Sequence, residues 1–238
     1  MIVLIDADSL IWSSCYKQKE TPEDSGYHNI EEAKDKYNEV VMKIINTIEV
    51  DHEVDKVITF AGARGNFRKQ ISKTYKANRI DREVPPILNE LQDYVKEQYQ
   101  SKQGYGVETD DLVATYWTNL TDTFGRDEVI IVSIDKDYLQ FPATIYNYER
   151  KTLVTINEID AHRNFYTQML VGDVADNVKG VKGCGVKCAE KTLSNLTSKY
   201  SMSRSVYELY MKAYKGKANI KYRENYSLLR LRVDCINN

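Results

Sequence analysis

Met1-Ile-Val-Leu-Ile-Asp6 opens the chain with an unbroken apolar run that ends on a carboxylate. A short run of this kind, rich in β-branched residues and without polar alternation, predicts a strand buried on both faces. The same signature recurs over Lys56–Phe60 and Glu128–Ile134, and again over Thr144–Tyr148. Between these stretches the apolar spacing turns helical. Val40, Val41, Ile44, Ile45 and Ile48 share one face over Ile30–Val50. Pro85-Pro86 start a second helix with Ile87, Leu88, Leu91 and Val95 inward. Glu108 opens a third, with Leu112, Val113 and Tyr116 inward. Strands alternating with helices predict an α/β fold, a mostly parallel central sheet flanked by helices.

Beyond about Thr155 the pattern changes to helices and turns alone. Asn157 is placed to cap a helix running to Leu170, and a glycine-punctuated turn, Gly180-Val-Lys-Gly-Cys-Gly185, leads into a helix to about Leu196. Further helices are expected over Ser203–Tyr214 and from Tyr222 onward. The expected division is an α/β domain over 1–156 and a helical region over 157–238.

With 238 residues, 42% hydrophobic and 29% charged, the chain is long and apolar enough to bury a core, which excludes a disordered or disulfide-scaffold protein. Its longest apolar run, Met1–Ile5, falls far short of the roughly 20 residues a membrane span needs. Met1 reads as a native start without a secretory signal, so a cytoplasmic protein with no membrane partner is expected. Cys15, Cys184, Cys188 and Cys235 have no zinc spacing and are expected as reduced thiols. Nothing in the pattern calls for an oligomer, and a monomer is expected. Of the 18 tyrosines, some can stack on bases or sugars, although core packing accounts better for any single one.

The net charge of −2 conceals an asymmetry. Arg64, Arg68, Lys69, Lys73, Lys76 and Arg79 fall in one stretch, Ala61–Ile80, that holds no acid. A second stretch, Lys179–Arg223, holds eleven basic residues against Glu190 and Glu208. Two basic segments on an otherwise acidic chain are the footprint of a polyanion-binding protein.

The acids gather where an open α/β sheet forms its sites, beyond the carboxyl ends of the strands. The first strand ends in Asp6 with Asp8 two residues on, and the third in Ser133-Ile-Asp-Lys-Asp137. Gly106-Val-Glu-Thr-Asp-Asp111 puts Glu108, Asp110 and Asp111 in one first helical turn, and Gly172-Asp-Val-Ala-Asp-Asn177 adds Asp173 and Asp176 at i and i+3. Each pair alone is ordinary, because acids near helix N-termini complement the dipole. Convergence of all of them needs counter-ions: two like charges 4 Å apart repel by about 4 kcal/mol at an effective dielectric of 20. An all-oxygen set without histidine or cysteine suits Mg²⁺ or Mn²⁺ rather than zinc. Carboxylate-held metal pairs activate water and stabilise the leaving oxygen in phosphodiester hydrolysis.

Together these strings resemble the 5′–3′ exonuclease and flap endonuclease family of PIN-like 5′ nucleases, especially its compact bacteriophage members. Ile5-Asp6 is similar to the family's first-strand aspartate, and Tyr75-Lys-Ala-Asn-Arg79 to its basic Tyr-Lys-x-x-Arg segment. Gly106–Asp111 resembles Gly-x-Glu-Ala-Asp-Asp, and Ser133–Asp137 resembles Ser-x-Asp-x-Asp. Gly172-Asp-Val-Ala-Asp-Asn-Val-Lys-Gly-Val-Lys-Gly-Cys-Gly-Val-Lys187 resembles the long Gly-Asp-x-x-Asp-Asn-x-x-Gly-x-x-Gly-x-Gly-x-Lys signature.

The resemblance implies a role for each position. Asp6, Glu108, Asp110, Asp111 and Asp135 would hold a first metal, and Asp137, Asp173 and Asp176 would hold or orient a second. The metals would be two or more Mg²⁺, with Mn²⁺ able to substitute. Lys76 and Arg79 would be catalytic, drawing in the scissile phosphate at the base of a short arch near 80–104. Gly180, Gly183 and Gly185 would form a helix–three-turn–helix element whose backbone approaches duplex phosphates. Lys182, Lys187 and Lys191 would add phosphate contacts there, and the element would carry K⁺. Arg64, Arg68, Lys69 and Lys73 complete the expected DNA-binding set. The implied partner is DNA with 5′ ends, flaps or junctions, or an RNA–DNA hybrid. The implied setting is replication or DNA degradation, in a host cytoplasm if the chain is of phage origin.

One position departs from the pattern. Where the family has an aspartate after the second strand, in Phe-Asp-x-x-x-x-x-Phe-Arg, this chain reads Phe60-Ala-Gly-Ala-Arg-Gly-Asn-Phe-Arg68, with Ala61 in the aspartate's place. That opens one rival reading, a structure-specific DNA-binding protein that has lost catalysis; a second rival, a PIN-like ribonuclease, shares the acidic α/β part. The Gly180–Gly185 turn argues against the second.

Overall fold

Strand β1 (Ile2–Asp6) sits inside the sheet, where its uninterrupted apolar run is buried from Val3 onward. In the computed structural model, which describes residues 1–17, 26–80 and 82–235, β1 pairs in parallel with β2 (Lys56–Phe60) on one side and β3 (Val129–Val132) on the other. β3 pairs in parallel with β4 (Thr144–Asn147), and β5 (Thr152–Thr155) closes the edge antiparallel, giving the order β2-β1-β3-β4-β5. The chain leaves β1 toward one neighbour and returns on the other side as β3, so the strand order reverses at β1. Ligands of open α/β sheets bind in the crevice at such a reversal.

Period-two alternation assigns the two faces. Val3 and Ile5 pack with Leu10, Tyr37, Val41, Leu91 and Val95 from α1 (Asp8–Ser14), α2 (Ile30–Glu49) and α4 (Leu88–Gln98). Leu4 and Ile131 pack on the other face with Leu112, Val113 and Trp117 of α5 (Thr109–Phe124). A third core holds together the helical region α6 (Glu158–Val171), α7 (Val186–Leu193), α8 (Lys199–Tyr214) and α9 (Ala218–Leu229), through Met169, Leu193, Met202, Val206, Tyr210 and Leu228. Asn157 caps α6 by accepting from the Asp160 N–H at 2.8 Å. No helix among the described residues is long and apolar enough to cross a membrane.

Several expectations are corrected. The stretch expected as an arch contains the helix expected there, α4, which packs on α1 and α2 with Leu91 and Val95 fully buried; residue 81 of that stretch lies outside the described residues. Helices α8 and α9 each begin earlier than the apolar pattern suggested. The helical region also contains a two-strand hairpin, β6 (Gly172–Asp173) with β7 (Val178–Lys179). Cys184 and Cys188 are disulfide-bonded, 5.2 Å apart at Cα, rather than reduced; they lie four residues apart at the start of α7, where side chains meet. Cys15 and Cys235 are free.

Arg68, expected on the DNA-facing surface, is 1% exposed. It opens α3 (Arg68–Ile71) and points inward. Its Nε donates to the Leu228 carbonyl at 2.9 Å. Nη1 donates to Glu108 at 3.0 Å and Asp111 at 2.6 Å, and Nη2 to Asp111 at 2.7 Å and the Arg230 carbonyl at 3.1 Å. A guanidinium has five donors, and all five are used. Removing one partner of such a pair strands the other charge, so Arg68→Ala is expected to cost about 3–5 kcal/mol in urea unfolding. Arg68→Lys, with three donors in the wrong geometry, recovers little of that. Lys73→Ala, at the exposed end of the same basic segment, is expected to stay within about 0.5 kcal/mol. Equal stabilities for Arg68→Ala and Lys73→Ala would contradict the assignment.

Candidate metal centre and nucleic-acid interface

The carboxylates converge because each ends a strand or starts a helix at the sheet's reversal point. Asp6, the last residue of β1, accepts from the Tyr138 hydroxyl at 2.9 Å and from Ser133 Oγ at 3.4 Å, which fastens the β3 loop to β1. That loop turns into a 3₁₀ segment, Lys136–Gln140, capped by Asp135, which accepts from the Asp137 N–H at 2.9 Å. Glu108 caps α5, so Glu108, Asp110 and Asp111 gather where the helix's unsatisfied N–H groups favour negative charge. Carboxylate oxygens of Glu108, Asp110 and Asp111 lie within 4.8 Å of one another, and so do those of Asp110, Asp135 and Asp137. Asp110 belongs to both groups and joins them.

Cations flank this centre on two sides. Lys76 holds a left-handed backbone, φ 54°, its N–H bonded to the Asp176 carbonyl at 2.9 Å. Its ammonium pairs with Glu108 and lies 3.6 Å from Asp176. Arg79 Nη2 donates to Asp176 at 2.8 Å. Between them the Tyr75 hydroxyl lies 2.8 Å from Glu108 and 2.7 Å from Asp176. On the far side Lys136 pairs with Asp173 at 2.6 Å, and Gln168 donates to both Asp137 at 2.7 Å and Asp173 at 3.1 Å. Asp173 and Asp176, expected as ligands, are buried and paired with cations, Asp173 with Lys136 and Asp176 with Lys76 and Arg79. Asp111 faces inward, with both oxygens bonded to Arg68 and one also to the Arg232 N–H at 2.9 Å.

Most of the carboxylates fall into two electrostatic classes; Asp176 stands between them, raised by burial although Lys76, Tyr75 and Arg79 pull it down. Glu108 is pushed up by burial, but Lys76 and then Arg68 overcome this and hold it below the usual carboxylate range. Asp173 is likewise buried yet lowered, through Lys136. Asp6 rises to about 7, first from burial and then from the charge of Asp8. Asp137 also rises to about 7, from burial and then Asp135. Burial, with the charges of Asp111 and Glu108, pushes Asp110 well up. The uncompensated groups are thus Asp6, Asp110 and Asp137. They are oxygen donors only, and such a set fits a hard divalent cation.

Beside the centre opens a cavity of about 500 Å³ lined by Asp8, Lys69, Lys76, Arg79, Glu108 and Thr109, among others. Arg64, Lys69 and Lys73 are exposed around the α3 segment, as are Lys182, Lys187 and Lys191 on the glycine turn and α7. The glycines of that turn serve different needs. Gly183 has φ +80° in open space, a conformation that favours glycine. Gly180 is required by packing instead, since a Cβ there would lie 2.2 Å from the Leu170 carbonyl oxygen. Gly185 meets nothing and has an ordinary φ of −88°.

Sequence reasoning passed over Tyr75, Tyr138, Lys136 and Gln168, and noted Asp8 without giving it a role. The signal for Tyr75 was present, because it begins the Tyr-Lys-x-x-Arg string. Gln168 lies on α6, far along the chain from any acidic motif, and carried none.

Comparison with known proteins follows the same lines. Residues 1–166 match the family model of the 5′–3′ exonuclease N-terminal resolvase-like domain. A 5′–3′ exonuclease of Buchnera aphidicola subsp. Schizaphis graminum is 26% identical over 171 residues, covering 64% of this chain. The chain spans 58% of that relative's length. The flap endonuclease Xni of Shewanella pealeana is 27% identical over 190 residues, covering 74% of this chain and 73% of the relative. Among solved structures, the T5 D15 protein co-crystallised with metal ions superposes with a TM-score of 0.69 at 14% identity, covering 99% of this chain and 91% of the other. At that identity the superposition shows a common fold.

The raised carboxyls carry a pH signature. Asp6 binds its proton more tightly in the fold, about 7 against an ordinary 3.8, so the metal-free protein loses stability as pH rises through that window. A divalent cation replaces those protons. The rise in melting temperature on adding Mg²⁺ is therefore expected to be larger near pH 8 than near pH 5, measured by differential scanning fluorimetry. An equal rise at both would contradict the assignment of the uncompensated groups.

Proposed function

The chain belongs to the 5′–3′ exonuclease family, and on that premise we propose that it is a divalent-metal-dependent nuclease hydrolysing DNA phosphodiester bonds near 5′ ends and flap junctions. The observation that carries this reading is the convergence of Asp110 with Glu108 on one side and with Asp135 and Asp137 on the other, beside a cavity walled by Lys76 and Arg79. Asp110 with Glu108, and Asp110 with Asp135 and Asp137, would hold Mg²⁺ or Mn²⁺, with Asp6 behind them. Such ions, when bound, would make water more acidic and neutralise charge on a phosphate.

The remaining work falls to the chain's own groups. Arg79 spends two donors on the Ala175 carbonyl and Asp176, leaving three for a phosphate oxygen. Lys76 adds a second positive charge on the same wall, held in place by Glu108. Tyr75 fixes the spacing between Glu108 and Asp176 and so the position of both cations. Duplex DNA would lie along Arg64, Lys69 and Lys73 and along the turn bearing Lys182, Lys187 and Lys191. Contacts of this kind position a backbone without reading its bases. Family resemblance alone supports K⁺ in the turn, action on RNA–DNA hybrids, a role in replication or DNA degradation, and a phage setting in a host cytoplasm.

Ala61 favours one other reading, a junction-binding protein without turnover. Cleavage of labelled 5′-flap, nicked duplex, single-stranded and RNA–DNA substrates separates the two. Mg²⁺-dependent cleavage of a 5′-ended DNA substrate is expected, abolished by chelation and reduced about 10²-fold or more by Asp110→Asn. Binding of every substrate in Ca²⁺ with cleavage of none in Mg²⁺ would leave only the binding reading. On the DNA face, Lys182→Ala and Lys187→Ala are each expected to lower the salt slope of flap binding by about 1 with no change in Mg²⁺-induced stabilisation. An unchanged slope would remove the turn from the interface.

A further inference from the structure

Ala61 is fully buried and puts no carboxylate at the end of β2. The neighbouring strand end does. β1 and β2 run parallel with Asp6 beside Phe60, and the Ala7 N–H bonds the Phe60 carbonyl at 2.9 Å. Ala7-Asp8 therefore leaves β1 alongside Ala61-Gly62 leaving β2. From there Asp8 reaches across: Oδ1 accepts the Gly62 N–H at 2.8 Å, and Oδ2 accepts the Thr109 hydroxyl at 2.6 Å. Thr109 sits between Glu108 and Asp110. Resting on the nuclease reading above, we infer that Asp8 supplies, from the end of β1, the metal-centre carboxylate that β2 lacks at position 61.

Two observations bear on this. Asp8 lines the same cavity as Glu108 and Lys76. Its oxygens do not serve α1, the helix it begins; both bonds go to other elements, the β2 loop and the start of α5. Each oxygen accepts one hydrogen bond there and keeps a lone pair. A carboxylate placed this way restores the charge lost at Ala61 without refolding either strand end. It also explains how Ala61 is tolerated in a chain that keeps the other acidic motifs intact.

The test moves the charge and reads metal binding directly. Mn²⁺ binding would be followed by electron paramagnetic resonance without DNA, on the full chain, Asp8→Asn, Ala61→Asp and the double variant. Asn keeps the shape of Asp8 and one acceptor, so the melting temperature in EDTA serves as the folding control. Asp8→Asn is expected to weaken Mn²⁺ binding at least about 10-fold. Ala61→Asp in that background is expected to restore it to within about 3-fold, and Ala61→Asp alone to add less than it restores there. Native-like Mn²⁺ binding by a folded Asp8→Asn would overturn the inference. So would a folded double variant that binds no better than Asp8→Asn. If aspartate at buried position 61 does not fold, Asp8→Asn alone decides. A native chain that binds Mn²⁺ but cleaves nothing would fail the nuclease reading while leaving the Asp8 comparison intact.

Discussion

The buried pair of Arg68 and Asp111 is the constraint on which the rest of the molecule depends. One guanidinium joins three parts of the chain: α3 that carries it, the start of α5, and the C-terminal end of α9 at Leu228–Arg230. Asp111 adds a fourth tie by accepting the Arg232 N–H. The pair thereby fixes the pitch of α5, and Glu108 and Asp110 project from that turn toward the sheet's reversal point. It also docks the end of α9 against the α/β domain, so the helical region and the acidic centre share one frame. A surface ion pair is worth little, but a buried one that satisfies every donor costs several kcal/mol to break from one side.

Charge compensation then divides the site by task. Glu108, Asp111, Asp173 and Asp176 are all held by Arg68, Lys76, Arg79 or Lys136. These pairs position walls and cations. Burial first and then neighbouring carboxylates raise the proton affinity of Asp6, Asp110 and Asp137, and no ion pair among the described residues offsets it. A centre with a ring of neutralised acids around a few uncompensated ones concentrates its demand for positive charge at one spot. That demand links the sequence's acidic surplus to phosphodiester chemistry.

Much of this was legible in the sequence, for a definite reason. Fully buried strands announce themselves as apolar runs, so β1 to β4 and the acids at their ends could be read directly. The order of the motifs then placed Glu108, Asp110, Asp135 and Asp137 in one neighbourhood. What could not be read was direction. Arg68 sits among five other basic residues, and nothing local says that it alone turns inward; its partners are 40 to 162 positions away. Gly180 reads in the sequence as a glycine that lets backbone approach phosphate, whereas in the fold a Cβ there would also collide with the Leu170 carbonyl oxygen at the end of α6. β5 is exposed along its whole length and has no apolar face to betray it. Within 80–104 the helix with Leu91 and Val95 inward could be read from its spacing, but not that it packs against α1 and α2. Asp8 was visible as a residue, but its reach to Gly62 and Thr109 exists only once β1 and β2 are paired.

The central claim is that the uncompensated carboxylates form a divalent-metal centre. Anomalous diffraction at the manganese edge from crystals grown with Mn²⁺ tests it most directly. The account predicts peaks against Asp110, one shared with Asp135 and Asp137 and one on the Glu108 side, and none at Asp173 alone. Crystals that diffract well and show no peak at Asp110, or peaks only elsewhere on the surface, would contradict it.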